Sequence, residues 1–207
     1  RTSTGPELKS YTTYEYGSVA VAGGTAGAMA SVMTSSETWH SMVRSISQKS
    51  DSTYTTAGEK TTETHYDIHL GKGDEIANFS FGYTKTGATS TELKSYTTYE
   101  YGSSAVAGGV AGASASAMTS SETWYSMVRS ISRKSDSTYV TTSDKTTETH
   151  YDIHLGKGDE VADFSFGYTR TSTGPELKSY TTYEYGSIAV AGGTAGAMAS
   201  VMTSSET

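Results

Sequence analysis

Alternating aromatic and polar residues predict the first strand of the chain. The stretch KSYTTYEY, from Lys9 to Tyr16, is rich in Tyr and Thr, and these residues favour extended, pleated backbone. Gly17 ends or bends this strand. Val and Ala alternate over residues 18–22 before the turn signal Gly23-Gly24. The pattern therefore predicts a strand, a break and a second short strand.

A hairpin is predicted from Thr61 to Thr84. Tyr66, Ile68 and Leu70 share one face of its first strand. Four apolar side chains share one face of its second strand: Ala77, Phe79, Phe81 and Tyr83. The link Gly71-Lys72-Gly73-Asp74 has the composition of a hairpin loop. The same pattern predicts a second hairpin from Thr146 to Thr169.

Residues 26–47 fit both a strand and a helix. Trp39, Met42, Val43 and Ile46 fall at the spacing of one helical face. Strand alternation would instead place Trp39 and Val43 on one face together with serines at alternate positions. The Ser, Thr and Val content favours a strand. One short helix per repeat stays open as the alternative.

The chain repeats itself at a spacing of about 85 residues. The segment ELKSYTTYEYGS begins at Glu7 and begins again at Glu92 and at Glu176. The chain also contains a longer repeat, since residues 1–38 match residues 170–207 at every position except Val19 against Ile188. The order is therefore A-B-A: residues 1–84 are repeat A, 85–169 repeat B, and 170–207 the start of a second repeat A. We expect no separate N-terminal domain.

These patterns predict a mostly β fold built of such tandem repeats. About six or seven short strands per repeat fit stacked, solenoid-like coils or sandwich units that exchange strands. The only two prolines, Pro6 and Pro175, lie in linkers. Long Pro-free strands of low charge tend to pair edge to edge with other strands.

Composition and charge exclude several classes of function. Hydrophobic residues are only 34% and charged residues 18% of the chain. The net charge of −7 argues against nucleic-acid binding, which needs a basic surface. The absence of Cys excludes disulfides and thiol chemistry. The most apolar run, residues 19–33, is too short to span a membrane. We therefore expect neither nucleic-acid binding nor membrane insertion.

Two sets of alternating residues are candidate metal ligands. His65, Asp67 and His69 form the set in repeat A, and His150, Asp152 and His154 form its copy in repeat B. Imidazole and carboxylate together suit Zn or Cu. Alternate residues on a strand are about 6.8 Å apart, so two neighbours could share a metal but three would need a bend. The alternative is a hairpin whose polar face lies opposite its Tyr-Ile-Leu face.

Other chemical motifs are weak. Asn78-Phe79-Ser80 is a sequon for N-linked sugar on Asn78. Asp74 and Glu75 are adjacent carboxylates and cannot face each other across a cleft. No nucleophile elbow is present, and near-identical repeats offer no single asymmetric pocket. We therefore expect neither an enzyme nor a cofactor.

The composition resembles that of silk and other extracellular fibre proteins, although no motif names a family. The sequence predicts a structural subunit of an extracellular or cell-surface filament, fibre or sheath, which binds copies of itself and carries glycans as a further option. The expected contact residues are aromatic: Tyr11, Tyr14, Tyr16, Trp39, Phe79 and Phe81. Two alternatives stay open: an adhesin stalk of independently folded units, and a surface protein that binds metal through the His-Asp-His sets.

Overall fold

The fold is mostly β, as the sequence predicts. The computed structural model describes residues 10–17, 27–29, 41–49, 59–87, 90–102, 112–117, 126–135, 141–156, 158–185 and 197–198. The strands of the first repeat are β1 (Ser10–Gly17), β2 (Ala28–Met29), β3 (Ser41–Lys49), β4 (Lys60–Asp67) and β5 (Ile76–Lys85). Those of the second are β6 (Thr91–Gly102), β7 (Ala113–Ser114), β8 (Ser126–Ser135), β9 (Thr141–Asp152) and β10 (Val161–Thr171). β11 (Gly174–Thr182), β12 (Glu184–Tyr185) and β13 (Ala197–Met198) follow.

The strands divide into two compact units. The first unit comprises residues 1–96 and 135–140, and the second comprises residues 97–134 and 141–207. In the first unit the strands lie in the order β2-β1-β3-β4-β5-β6. In the second they lie in the order β6-β8-β9-β10-β11, with β7 also paired to β6 and with β12 paired to β13. The boundary between the units falls within β6.

The segment that fitted both a strand and a helix forms strands where it is described. Gly27 leads into β2, and residues 41–49 form β3, so a helix over residues 41–47 is wrong. The equivalent residues of the second repeat form β8. The one helical element in the described ranges is a 3-10 turn at Ala115–Ala117. Residues 30–40, including Trp39, lie outside the described residues.

The predicted hairpins form with one difference. β4 pairs with β5, and β9 with β10, in antiparallel register. The strands β4 and β9 end at Asp67 and Asp152, so Ile68 and Leu70 lie in the connecting loop and not on a strand face. The left-handed φ angles of Gly71 and Gly73, 102° and 92°, explain why glycine occupies this loop.

A β-bulge changes which residues of β5 share one face of the hairpin. His65 lies opposite Phe79 and Tyr66 opposite Ala77, which leaves Asn78 as the extra residue of β5. The bulge puts Ile76 on the same face as Phe79 and Phe81. The polar residues Glu63, His65 and Asp67 on this face are buried. Ala77 lies opposite Tyr66 on the other face, so the prediction that it shares a face with Phe79 is wrong.

Candidate functional site

Three strands of the first unit bring opposite charges together in a buried cluster. In register, Glu15 of β1 lies opposite Arg44 of β3, which lies opposite His65 of β4. The Arg44 guanidinium donates hydrogen bonds to both oxygens of Glu15, over 2.8 and 3.0 Å. Its Nη1 also donates to Glu63 Oε1 over 3.0 Å. All four side chains are buried, so each depends on the others to replace water.

Glu63 is the centre of this cluster. Lys60 Nζ and the Tyr83 hydroxyl donate to its Oε2 over 2.8 and 3.0 Å, and His65 Nε2 lies 2.7 Å from its Oε1. Burial alone would raise the pKa of Glu63. Hydrogen bonds from His65 and Lys60 and the charges of Lys60 and Arg44 hold that pKa well below its ordinary value instead. We call this set the charge cluster: Glu15, Arg44, Lys60, Glu63, His65 and Tyr83.

The second unit contains an equivalent charge cluster, built from the matching residues of the second repeat. Arg129 donates to Glu100 over 2.8 Å and to Glu148 over 2.9 Å, and Lys145 donates to Glu148 over 2.7 Å. Burial opposes ionisation of Glu148, but the hydrogen bond and charge of Lys145 and the charge of Arg129 lower its pKa to about 2. The two units therefore stabilise a charged sheet interior with the same residue types.

The structure divides each candidate metal set in two. His65 stacks on Phe79, with ring centroids 4.6 Å apart, and its Nε2 faces Glu63. His69 Nδ1 bonds instead to Asp67. His150 and His154 are divided in the same way. Across the described ranges no three His, Asp or Glu side chains form a group that could hold a metal ion. Metal binding by the remaining His-Asp pairs stays a prediction.

Two other candidates lie near strand ends and bulges. Asn78 is the half-buried extra residue of the β5 bulge, so glycosylation there stays a prediction. Asp74 and Glu75 do not act as a pair. Glu75 accepts hydrogen bonds from the backbone N–H groups of Met42 and Gly73, over 3.2 and 3.1 Å.

The predicted contact residues differ in accessibility. Tyr14 is exposed, whereas Tyr11, Tyr16 and Phe79 are half-buried. Phe81 is buried in the first unit, where it packs edge-on against Phe79. A role for these residues in contacts between molecules stays a prediction.

The most accessible strand is β11, although its sequence recurs in a strand that is largely covered. Every β11 residue from Pro175 to Thr182 is exposed. In β6, which carries the same ELKSYTT sequence, only Glu92 and Lys94 are exposed. Leu177 of β11 is 55% exposed, whereas its counterpart Leu93 is 7% exposed.

The strand order explains this difference. β6 pairs with β5 in the first unit and with β8 in the second, so it has strands on both sides. β11 pairs with β10 alone among the described strands. Its outer side is an open edge, which presents backbone N–H and C=O groups to a further strand. We call β11 and its outward side the open edge.

A cleft of about 380 Å³ lies beside the open edge. Leu177, Ile131 and Phe166 form its apolar wall, and Tyr168 lies with them. Its polar wall is part of the second charge cluster, namely Arg129, Lys145 and Glu148. The corresponding Leu93 and Phe81 of the first unit are buried.

Sequence reasoning missed the charge clusters and the open edge. The signal for the first was present, because Glu15, Arg44 and Glu63 each recur in the second repeat within strand-forming stretches. Separation along the sequence does not show that three charged residues are neighbours, whereas strand register does. The open edge depends on strand order, which the sequence pattern does not encode.

Comparisons with known proteins give no family for this chain. It matches no protein-family model, and no curated protein or solved structure is significantly similar to it. In the described part of the chain, no helix has the length and apolar character needed to cross a bilayer. The features that bear on function are therefore the open edge and the charge clusters.

Proposed function

We propose that this chain is a structural subunit of an extracellular filament, fibre or sheath. Its repeats join edge to edge through backbone pairing of β-strands, either along one chain or between copies of it. The observation that carries this proposal is the contrast between β6 and β11. One sequence is paired on both sides in β6 and has an open outer side in β11.

The open edge favours pairing with a further strand. Every second residue of an antiparallel strand added beside β11 exchanges two backbone hydrogen bonds with it, as within a sheet. Pairing would also cover Leu177 and Tyr180, which are 55% and 58% exposed. Burying apolar surface contributes about 25 cal/mol per Å². Pro175, Lys178 and the β-bulge at Lys178 oppose pairing in the first half of β11. Residues 179–182 carry no such feature and are the part of the edge most open to a further strand.

The composition supports a structural role outside the cell. Tyr, Ser, Thr, Gly and Ala dominate the chain, as in silk and other extracellular fibre proteins. Near-identical repeats suit a role in which length matters more than one unique site. An adhesin stalk of independently folded units is the alternative that an experiment must separate from this one.

The test is the assembly state of the purified chain. We expect a concentration-dependent increase in sedimentation coefficient, filaments in electron micrographs, and fibre diffraction at about 4.7 Å from strands stacked across the filament. A chain that stays monomeric at high concentration, with cooperative melting, would contradict the filament and favour the stalk.

A matched pair of variants connects assembly to the open edge. Leu177→Lys places a charge on the edge and should raise the concentration needed for assembly by about tenfold or more. Thr84→Lys adds the same charge at an exposed position of β5 and should leave assembly unchanged. Equal effects of both variants would show that net charge, rather than the edge, controls assembly.

A further inference from the structure

The sequence that forms the open edge occurs three times, and each copy pairs with the same short strand. β1 pairs with β2 through Glu15–Met29 and Tyr16–Ala28. β6 pairs with β7, and β12 with β13, through the equivalent positions. β6 also pairs with β5, and β11 with β10, whereas β1 has no such further neighbour among the described strands.

The other side differs between the copies. β1 pairs there with β3, and β6 pairs there with β8. Both partners carry the sequence SMVRSIS. The third copy, β11 with β12, has no such strand beside it among the described residues. The first two copies therefore indicate that the third copy, β11 with β12, binds a strand of the sequence SMVRSIS.

We infer that the open edge binds β3 of a second copy of this chain by strand exchange: β11 and β12 of one molecule take the place of β1 in the other. This inference rests on the proposed self-assembly and names its contact. The sequence supports this replacement, because residues 170–207, which contain β11 and β12, differ from residues 1–38, which contain β1, only by Ile188 in place of Val19.

The contacts that hold β1 on β3 are available to the replacing strand. Thr12 and Ser47 share a hydrogen bond of 2.9 Å between hydroxyl oxygens, and Thr97 and Ser132 share one of 2.8 Å in the second unit. Thr181 is the third copy of this threonine. It would meet Ser47 of the second molecule in the same register.

Glu184 would take the place of Glu15 in the charge cluster. Arg44 binds Glu15 through two hydrogen bonds. Arg129 binds Glu100 through a hydrogen bond from Nε to Oε2 and an ion pair of 2.6 Å between Nη2 and the same oxygen. Glu184 stands at the equivalent position of the third copy. A charged, buried and doubly bonded pair sets the register of the exchanged strand, because a slip of one residue would point the carboxylate to the opposite face.

Exchange of one strand for its near-identical copy forms about as many hydrogen bonds as it breaks. The equilibrium between β1 and the replacing strand then depends on protein concentration, because β1 belongs to the same chain as β3 whereas the replacing strand comes from another molecule. The cover that Tyr180 gains is matched by the cover that its counterpart Tyr11 loses when β1 leaves β3. Domain swapping of this kind is a low-cost route to assembly.

The test uses cysteine pairs, which the chain allows because it contains no cysteine of its own. Two single variants of the full chain, Thr181→Cys and Ser47→Cys, are purified separately, mixed at assembling concentration and oxidised. Strand exchange predicts a disulfide between the two chains, with a yield about tenfold above that of Thr181→Cys mixed with Ser45→Cys. Position 45 lies two residues out of register, too far for disulfide geometry.

Two further substitutions have opposite expected effects. Glu15→Gln loosens β1 on its own β3 and should raise the cross-linked yield by up to about tenfold. Glu184→Gln weakens the replacing strand and should lower the yield by a similar factor. A general loss of stability would move both yields in the same direction and would contradict competition between the two strands.

Each remaining outcome decides between the proposals. Cross-linking of Thr181→Cys only to itself would show that two open edges pair with each other, and this would overturn strand exchange. Filaments without a link between positions 181 and 47 would overturn strand exchange and leave self-assembly standing. Monomers without any link would overturn both.

Discussion

At the scale of single residues, the chain uses charge where most sheets use apolar side chains. Val43, Phe81 and Val128 are fully buried apolar side chains, and the charged Arg44 and Glu63 are buried as well. Glu63 lies directly opposite Phe81 in register. A buried ion pair is not by itself a source of stability. Removing one partner, however, leaves the other charge without water or counter-ion.

Arg44→Met should therefore destabilise the first unit by about 3–5 kcal/mol, because it leaves Glu15 and Glu63 buried without their guanidinium partner. The free energy of unfolding in urea measures the effect. Lys94→Met is the control. Its side chain is exposed on β6, and a substitution at such a surface position changes stability by about 0.5 kcal/mol or less. Equal losses in the two variants would refute the role of burial.

The second charge cluster predicts acid sensitivity. The pKa of Glu148 is about 2 in the folded chain against an ordinary 4.5. A lowered folded pKa stabilises the fold at pH values above 4.5, and this contribution is lost as the pH falls from 4.5 through 2. The contribution is on the order of 2–3 kcal/mol.

We expect Glu148→Gln to unfold more readily than the wild type at pH 7 and to approach it near pH 2. The measurement is the free energy of unfolding as a function of pH. Glu176→Gln, at an exposed position of β11, serves as the control and should keep the wild-type pH dependence. An unchanged acid slope in Glu148→Gln would rule out this carboxylate as its source.

At the scale of elements, bulges and one close approach position the strands. Gly27 directly precedes β2, and its N–H donates to Glu15 Oε2 over 2.7 Å. A Cβ at this position would lie 2.7 Å from Val43 Cγ2 and 3.0 Å from the Tyr16 carbonyl oxygen. Gly112 has the same surroundings in the second repeat. Glycine is required there because β2 and β7 lie so close to their neighbours.

Gly27→Ala should destabilise the first unit by about 1–3 kcal/mol through this overlap. Urea unfolding measures the loss, and faster hydrogen exchange at residues 27–29 would locate it. Gly82→Ala is the control, since a Cβ there meets mainly the Ser95 hydroxyl, which can rotate away. An equal cost at both glycines would argue against the overlap.

At the scale of the whole molecule, the distribution of paired and open strands predicts where assembly acts. In β11 the outer backbone groups are open, while β9 has strands on both sides. We expect amide hydrogen exchange in β11 to slow by at least about tenfold when the chain assembles, and exchange in β9 to stay unchanged. Mass spectrometry of assembled and dilute samples measures both. Unchanged exchange in β11 after assembly would place the contact elsewhere.

The sequence by itself determined the strand content. Period-two alternation of Tyr, Thr and Val indicates pleated backbone wherever it occurs, and the glycine loop marks the hairpin. These are local properties, so KSYTTYEY and the Thr61–Thr84 hairpin could be predicted. The segment of residues 41–47 was ambiguous because its side chains suit both periods, and pairing between β1, β3 and β4 decided for a strand.

Tertiary structure alone decided which side chains meet and which edge stays open. The bulge at Asn78 placed Ile76, and not Ala77, on the face of Phe79, and register joined Glu15 to Arg44 although they lie on separate strands. Neither follows from a local pattern, because one inserted residue reverses every side chain beyond it. Strand order likewise gave the same sequence a covered place in β6 and an open one in β11. The exposure of a strand depends on which strands lie beside it, and those neighbours are determined only by the strand order of the complete sheet.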